Sequence, residues 1–202
     1  MITTIIIIIT VLVSIISMDN HSLKNKLMFN AYQINHRKEW YRFFSSGLIH
    51  ADWMHLAFNM LSLYMLGIAA ERDYTIIFEE KGILFFILLY VGALAMSSIY
   101  SYEKHKNDIY YNALGASGAV SAVVFAFIIM EPTTRLSLMF LPIPIPAYLF
   151  GLLFLGIEYY LGKRGSDNIG HDAHFWGAVF GAVFTIILKP SLATDFIQQI
   201  KG

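Results

Sequence analysis

Asn112-Ala-Leu-Gly-Ala-Ser-Gly-Ala-Val-Ser121 opens an apolar run that continues to Met130. As a helix at ~1.5 Å per residue, its about 16 residues span roughly 24 Å. The hydrocarbon core of a bilayer is about 30 Å thick. A membrane helix this short begins below the membrane surface. Ser117, within Gly115-Ala116-Ser117-Gly118, then sits at the helix N-terminus, at the foot of a depression that water can fill. A helix N-terminus offers unpaired backbone N–H groups that can hold an oxyanion, which gives a hydroxyl at this place a catalytic use. The plain alternative is a serine bonded to its own i−4 carbonyl, with the glycines serving close helix contact.

The rest of the chain supports a membrane setting. It has 202 residues, 57% hydrophobic and only 14% charged, with mean hydropathy +0.59, whereas soluble domains average about 25% charged. The composition predicts an all-α polytopic membrane protein, one domain over 1–202 with no room for a second soluble domain. Formal net charge is zero, so nothing points to nucleic acid. There is no cysteine, which excludes disulfides, thiolate metal sites and thiol nucleophiles.

Apolar runs predict six transmembrane helices, at about 3–17, 53–70, 82–100, 115–131, 147–161 and 172–188. The first lacks a basic n-region and a small-residue cleavage site, so it reads as an uncleaved span. Residues 19–52 mix Lys24, Lys26, Arg37, Lys38 and Arg42 with Phe29, Tyr32, Trp40, Tyr41, Phe43 and Phe44. That mixture suits a long connection half inserted at the membrane interface, without helical periodicity. Glu71-Arg72-Asp73 closes the second helix and Glu131-Pro132 the fourth. Residues 138–146 carry Pro142, Pro144 and Pro146, which favour an extended surface loop over a span. A loop follows at 162–170, and the tail beyond Pro190 is amphipathic. Six spans put both termini on one side. Connections one, three and five hold nine of the fourteen Lys and Arg, which taken literally places the termini outside.

Polar groups inside spans are functional candidates. His55 and Asn59 share a face of the second helix, four residues apart. His174 opens the sixth, with Gly177 and Gly181 at i+3 and i+7. That small stripe matches Gly118 and Ala122 on the fourth helix, and close packing of the two brings His174 within hydrogen-bond reach of Ser117. Asp172 lies two residues before His174, on roughly the opposite face, and is poorly placed to orient it. Alternatively, His55 and Asn59 are inter-helix glue, or His50, His55, His171 and His174 hold a metal.

Taken in order, Tyr41-Arg42, His50-x4-His55-x3-Asn59, Gly115-x-Ser117-Gly118 and Ala173-His174-x2-Gly177-x3-Gly181 resemble the rhomboid family of intramembrane serine proteases. The resemblance covers the chain from Trp40 to Leu188. It implies a rhomboid-like six-helix fold of the bacterial type and a Ser–His dyad without a third acid. Ser117 is then the nucleophile and His174 the general base, with an oxyanion hole from the Ser117 N–H, His55 and Asn59. Gly115 lets the chain approach the substrate backbone, while Gly118, Gly177 and Gly181 serve helix packing. His50, Arg42 and Glu71 take the family's structural positions, bracing the first connection. The implied partners are single-span membrane-protein substrates and the lipid bilayer, with no metal or cofactor. The implied location is a bacterial inner membrane with cytosolic termini, against the Lys/Arg count. Two positions depart from the family: Tyr41 stands for the usual tryptophan, and Ser121 for a tyrosine that stacks on the base histidine. Phe175 or Trp176 then becomes the candidate brace for His174. A non-catalytic membrane-protein binder of the same fold is the remaining alternative.

Overall fold

Hydroxyls at 3, 10, 14 and 17 and isoleucines at 5, 8, 9 and 16 fall on opposite faces of the first helix, α1 (Ile2–Met18). In the computed structural model, which describes residues 1–138, 141–165 and 169–202, the hydroxyl face is fully buried and the isoleucines are exposed. A helix in water does the reverse. The N-terminal amides of Ile2 and Thr3 donate to the two carboxylate oxygens of Glu71, at 2.7 and 2.8 Å. Thr3 Oγ1 donates to the Gly67 carbonyl at 3.2 Å.

The first connection is more ordered than its periodicity suggests. It folds into three short helices, α2 (His21–Leu27), α3 (Ala31–Arg37) and α4 (Arg42–Ser45). Asn20 and Asn30 cap the first two, each accepting a backbone N–H three residues on. Phe29, Ala31, Ile34 and Phe43 form a small core of their own. The buried Arg42 donates to Glu39 and to the carbonyls of Asn25 and Met28, which pulls the segment together.

The second helix also overruns its expected end. α5 (Trp53–Ser62) passes through a π-helical stretch (Leu63–Gly67) into α6 (Ile68–Phe78). Glu71 does not close it, because that carboxylate is used by α1, and Asp73 is paired with Arg72 at 2.8 Å. The chain reverses at Glu79, which has φ +51, into α7 (Gly82–Met96). After a break at Ser97 and Ser98 comes α8 (Ile99–His105). The expected single helix over 82–100 is therefore two.

The central element is α9 (Ser117–Met130), with every residue buried except Ser117 and Ile129. Its even apolarity around the circumference is what an enclosed helix requires. β1 (Arg135–Leu138) and β2 (Leu141–Pro146) pair antiparallel, Arg135 opposite Pro146 and Leu136 opposite Ile145. This hairpin amends the all-α expectation. It agrees with the extended conformation expected from the prolines, though Met139 and Phe140 lie outside the described residues. α10 (Ala147–Arg164), α11 (His171–Leu188) and α12 (Ser191–Lys201) complete the chain. α10 runs three residues past its expected end, and residues 166–168 of the expected loop lie outside those described.

α9 and α11 pack backbone to backbone. A Cβ at Gly177 would strike the Gly118 carbonyl, and one at Gly181 the Ala122 carbonyl. Tyr74 of α6, itself buried, bonds Thr185 of α11 at 2.7 Å. Large apolar side chains face outward elsewhere: Ile83, Leu84 and Leu88 of α7, Leu152, Leu153 and Ile157 of α10, and Ile187 of α11. Such a continuous apolar exterior marks contact with lipid. Among the described residues, the stretch Trp53–His105, which reverses at Glu79, and the helix His171–Leu188 are long and apolar enough to cross a membrane, while Ile2–Met18 and Ser117–Met130 are apolar but shorter.

Candidate active site

Ser117 is the first residue of α9 and is half-buried. The segment before it is held from both sides. Phe29 and Ala113 exchange backbone bonds at 2.9 and 3.1 Å, and the Gly115 N–H donates to the Ser46 carbonyl at 2.9 Å. The Ala116 N–H donates to His50 Nε2 at 3.4 Å. Gly115 has φ +117, a conformation that disfavours any side chain, and a Cβ there would lie 2.7 Å from His55 Nε2.

His50 links this segment to α1. Ser14 Oγ donates to the Leu48 carbonyl at 3.0 Å and lies 2.9 Å from His50 Nδ1. With the serine proton on Leu48, His50 must carry its own proton on Nδ1, leaving Nε2 to accept from Ala116. Burial, reinforced by neighbouring His55 and opposed by Asp52, pushes His50 down to about 4, so it is neutral at pH 7. The His50 and His55 rings meet edge to face, centroids 4.9 Å apart. Asp52 caps α5 by accepting the His55 N–H at 2.8 Å. Asn59, buried one turn on, donates one amide hydrogen to the His55 carbonyl at 2.9 Å.

The glycine contacts of α11 bring His174 to the head of α9, and its Nε2 lies 2.7 Å from Ser117 Oγ. On the other side of the ring stands a group that sequence reasoning passed over. Ala147, Gly151 and Glu158 form the buried stripe of α10. Glu158 Oε1 lies 3.2 Å from His174 Nδ1. Its Oε2 lies 2.6 Å from Nδ1 of buried His171. The available signal was a lone acid inside an apolar helix.

Other expected residues lie elsewhere. Glu71 caps α1 rather than bracing the first connection, which Arg42 does organise. Asp172 pairs with Lys104 of α8 at 3.0 Å. Phe175 packs on Tyr159 and Trp176, and Trp176 on Tyr100, whereas the ring beside His174 is His171, centroids 6.1 Å apart. The four histidines fall into two pairs, and both nitrogens of His50 are engaged within the protein. Among the described residues, the group that could offer metal ligands is Glu158, His171 and His174, whose ligand atoms lie within 4.8 Å of one another.

A model of the Rhomboid domain matches residues 37–191. The chain belongs to the rhomboid family. Rhomboid protease AarA of Providencia stuartii is 29% identical over 185 residues, covering 82% of this chain and 63% of the relative. RHOMBOID-like protein 12, mitochondrial, of Arabidopsis thaliana is 29% identical over 154 residues, 69% of this chain and 44% of its own. Rhomboid protease GluP of Bacillus subtilis is 30% identical over 144 residues, 71% of this chain and 26% of its own. This rhomboid chain thus spans less than two thirds of each of these relatives. Rhomboid family members are integral membrane proteins, which accords with the outward isoleucines of α1 and the apolar faces of α7 and α10.

Proposed function

We propose that this rhomboid is an intramembrane serine endopeptidase that cleaves single-span membrane proteins in or near their spans. The observation that carries the reading is the 2.7 Å approach of His174 Nε2 to Ser117 Oγ at the head of α9. In this reading Ser117 Oγ attacks the scissile carbonyl carbon while its proton passes to His174 Nε2. The oxyanion is held by the Ser117 N–H, with His55 and Asn59 as side-chain donors. Collapse breaks the C–N bond, and the proton on Nε2 goes to the leaving amine. Water then attacks the acyl-serine by the same route in reverse, with His174 again taking the proton. Gly115, beside His55, lets the chain approach the substrate backbone, Gly118, Gly177 and Gly181 hold α9 and α11 in contact, and His50 and Arg42 fix the segments around them. No cofactor or metal enters the chemistry.

The proposed setting is a single rhomboid-like domain over 1–202 with six spans, in a bacterial inner membrane with cytosolic termini. Helices such as α9, too short to cross alone, are surrounded by longer ones, which lets the dyad lie below the membrane surface in contact with water.

The test uses detergent-purified full chain, a fluorophosphonate probe and a fluorogenic single-span peptide. Wild type labels and cleaves, while Ser117→Ala and His174→Ala do neither. Cleavage by Ser117→Ala at the wild-type rate refutes the assignment. A folded wild type that binds the peptide but neither labels nor cleaves favours the binder reading.

A further inference from the structure

Glu158 is an acid in an apolar helix, with its side chain only 11% exposed. An unpaired carboxylate there is costly, so buried acids in spans persist where a partner holds them or a function needs them. Both oxygens of Glu158 have partners, and both partners are imidazole nitrogens on α11: His171 Nδ1 at 2.6 Å and His174 Nδ1 at 3.2 Å. His174 uses its other nitrogen, Nε2, on Ser117. Ser117, His174 and Glu158 therefore stand in line across one imidazole.

We infer that Glu158 is a positioning residue that turns the Ser117–His174 pair into a relay of three, with His171 anchoring the carboxylate. The inference rests on the proposed role of His174 as base. Glu158 accepts Nδ1–H, which fixes the tautomer whose Nε2 is bare and can take the serine proton. When that proton arrives, the ring becomes an imidazolium facing a carboxylate, and the charge that develops is matched on the spot. Glu158 itself takes no proton at any step. His171, three residues before His174 on the same helix, ties Oε2 and so aims Oε1 at the catalytic ring. This arrangement supplies what the small Ser121 and the remote Phe175 and Trp176 do not, a group that holds the base from behind.

Among the described residues, the titratable groups facing His174 are Glu158 from α10, His171 from its own helix and His55 from α5. Asp172 is turned to Lys104 of α8. Of these neighbours, Glu158 is the carboxylate on the ring, so removing its charge has a signed effect on the pH profile.

The experiment measures peptide cleavage against pH for purified wild type, Glu158→Gln and Glu158→Asp, with thermal melts of each protein alongside. Glu158→Gln is expected to lower kcat by at least about ten-fold with KM little changed, since a wrong tautomer blocks proton transfer but not binding. Its acidic limb is expected at lower pH than in wild type, because the imidazolium has lost its counter-charge. Glu158→Asp keeps the charge and is expected to hold the limb at the wild-type position. If Glu158→Gln does not fold, His171→Gln provides the test: freeing the carboxylate for His174 alone moves the limb to higher pH. A profile unmoved in the folded variants, with rates that only follow the folded fraction, overturns the inference while leaving the Ser117–His174 reading intact. Activity that needs an added divalent ion and vanishes with chelator also overturns it, making Glu158 and His171 ligands instead. Failure of wild type to cleave or label removes both readings together.

Discussion

Acid should loosen this protein through His50 before the catalytic pair is considered. His50 has no exposed surface and is pushed from the ordinary 6.5 down to about 4. The unfolded chain therefore binds a proton below pH 6.5 that the folded chain refuses until about pH 4. Stability from this residue is complete above 6.5 and is lost progressively as the pH falls to 4. The loss amounts to about 3 kcal/mol. For a chain of this size that is a fall of roughly 6–12 °C in melting temperature. The structure explains the refusal. Nε2 faces the Ala116 N–H, so a proton there would set donor against donor, while Nδ1 is already committed to Ser14. The assay is thermal unfolding in detergent from pH 7.5 to 4.0 for wild type and His50→Gln. The other histidines and the carboxylates are common to both, so their titration cancels in the difference. The gap between the two melting curves is expected to narrow, or reverse, by that amount as the pH drops. Parallel acid losses would refute the reasoning and mean that His50 is solvated or already charged.

Three further perturbations probe separate joints. Gly181→Ala forces α11 off the Ala122 carbonyl; it should cost about 1–3 kcal/mol in thermal stability and slow fluorophosphonate labelling, and an unchanged melt would deny the backbone contact. Gly115→Ala adds a side chain at φ +117, 2.6 Å from the nearest His55 ring atom, at a strain of about 1–3 kcal/mol; cleavage should fall, and a normal rate would show that His55 does not pack there. Glu71→Ala strips the charge-assisted bonds from Ile2 and Thr3, worth about 1.5–3 kcal/mol, and amide exchange at those two residues should accelerate more than in α9; uniform acceleration would mean that α1 is not separately tethered.

The elements that sequence made legible are those whose pattern is local. The stripe of Gly177 and Gly181 facing Gly118 and Ala122 could be read because helical spacing fixes which residues share a face, and small residues have one main use there. The apolar runs placed all six expected helix starts within two residues. Ends were harder. Nothing near residue 71 in the chain tells that the Glu71 carboxylate serves α1, 69 and 68 residues away, so a charged triplet reads as a terminus when it is mid-helix. The three short helices of the first connection carry too few turns for a periodicity, and the Asn caps of the first two are the local sign. Glu158 escaped for the same reason as Glu71. Its meaning lies in the facing of α10 toward α11, which no spacing within either helix encodes.

The tether of α1 has a consequence for how the protein is made. Thr3 and its carboxylate partner are separated by 68 residues. At ~5–20 residues per second, the ribosome delivers Glu71 roughly 3–14 s after Thr3. For that interval the nascent first helix lacks its cap, although Leu48 and His50, the partners of Ser14, emerge before Glu71 does. Until their partners emerge, its hydroxyls must bond back to its own carbonyls or meet water, so the helix inserts as a provisional tenant and is secured only when α6 arrives.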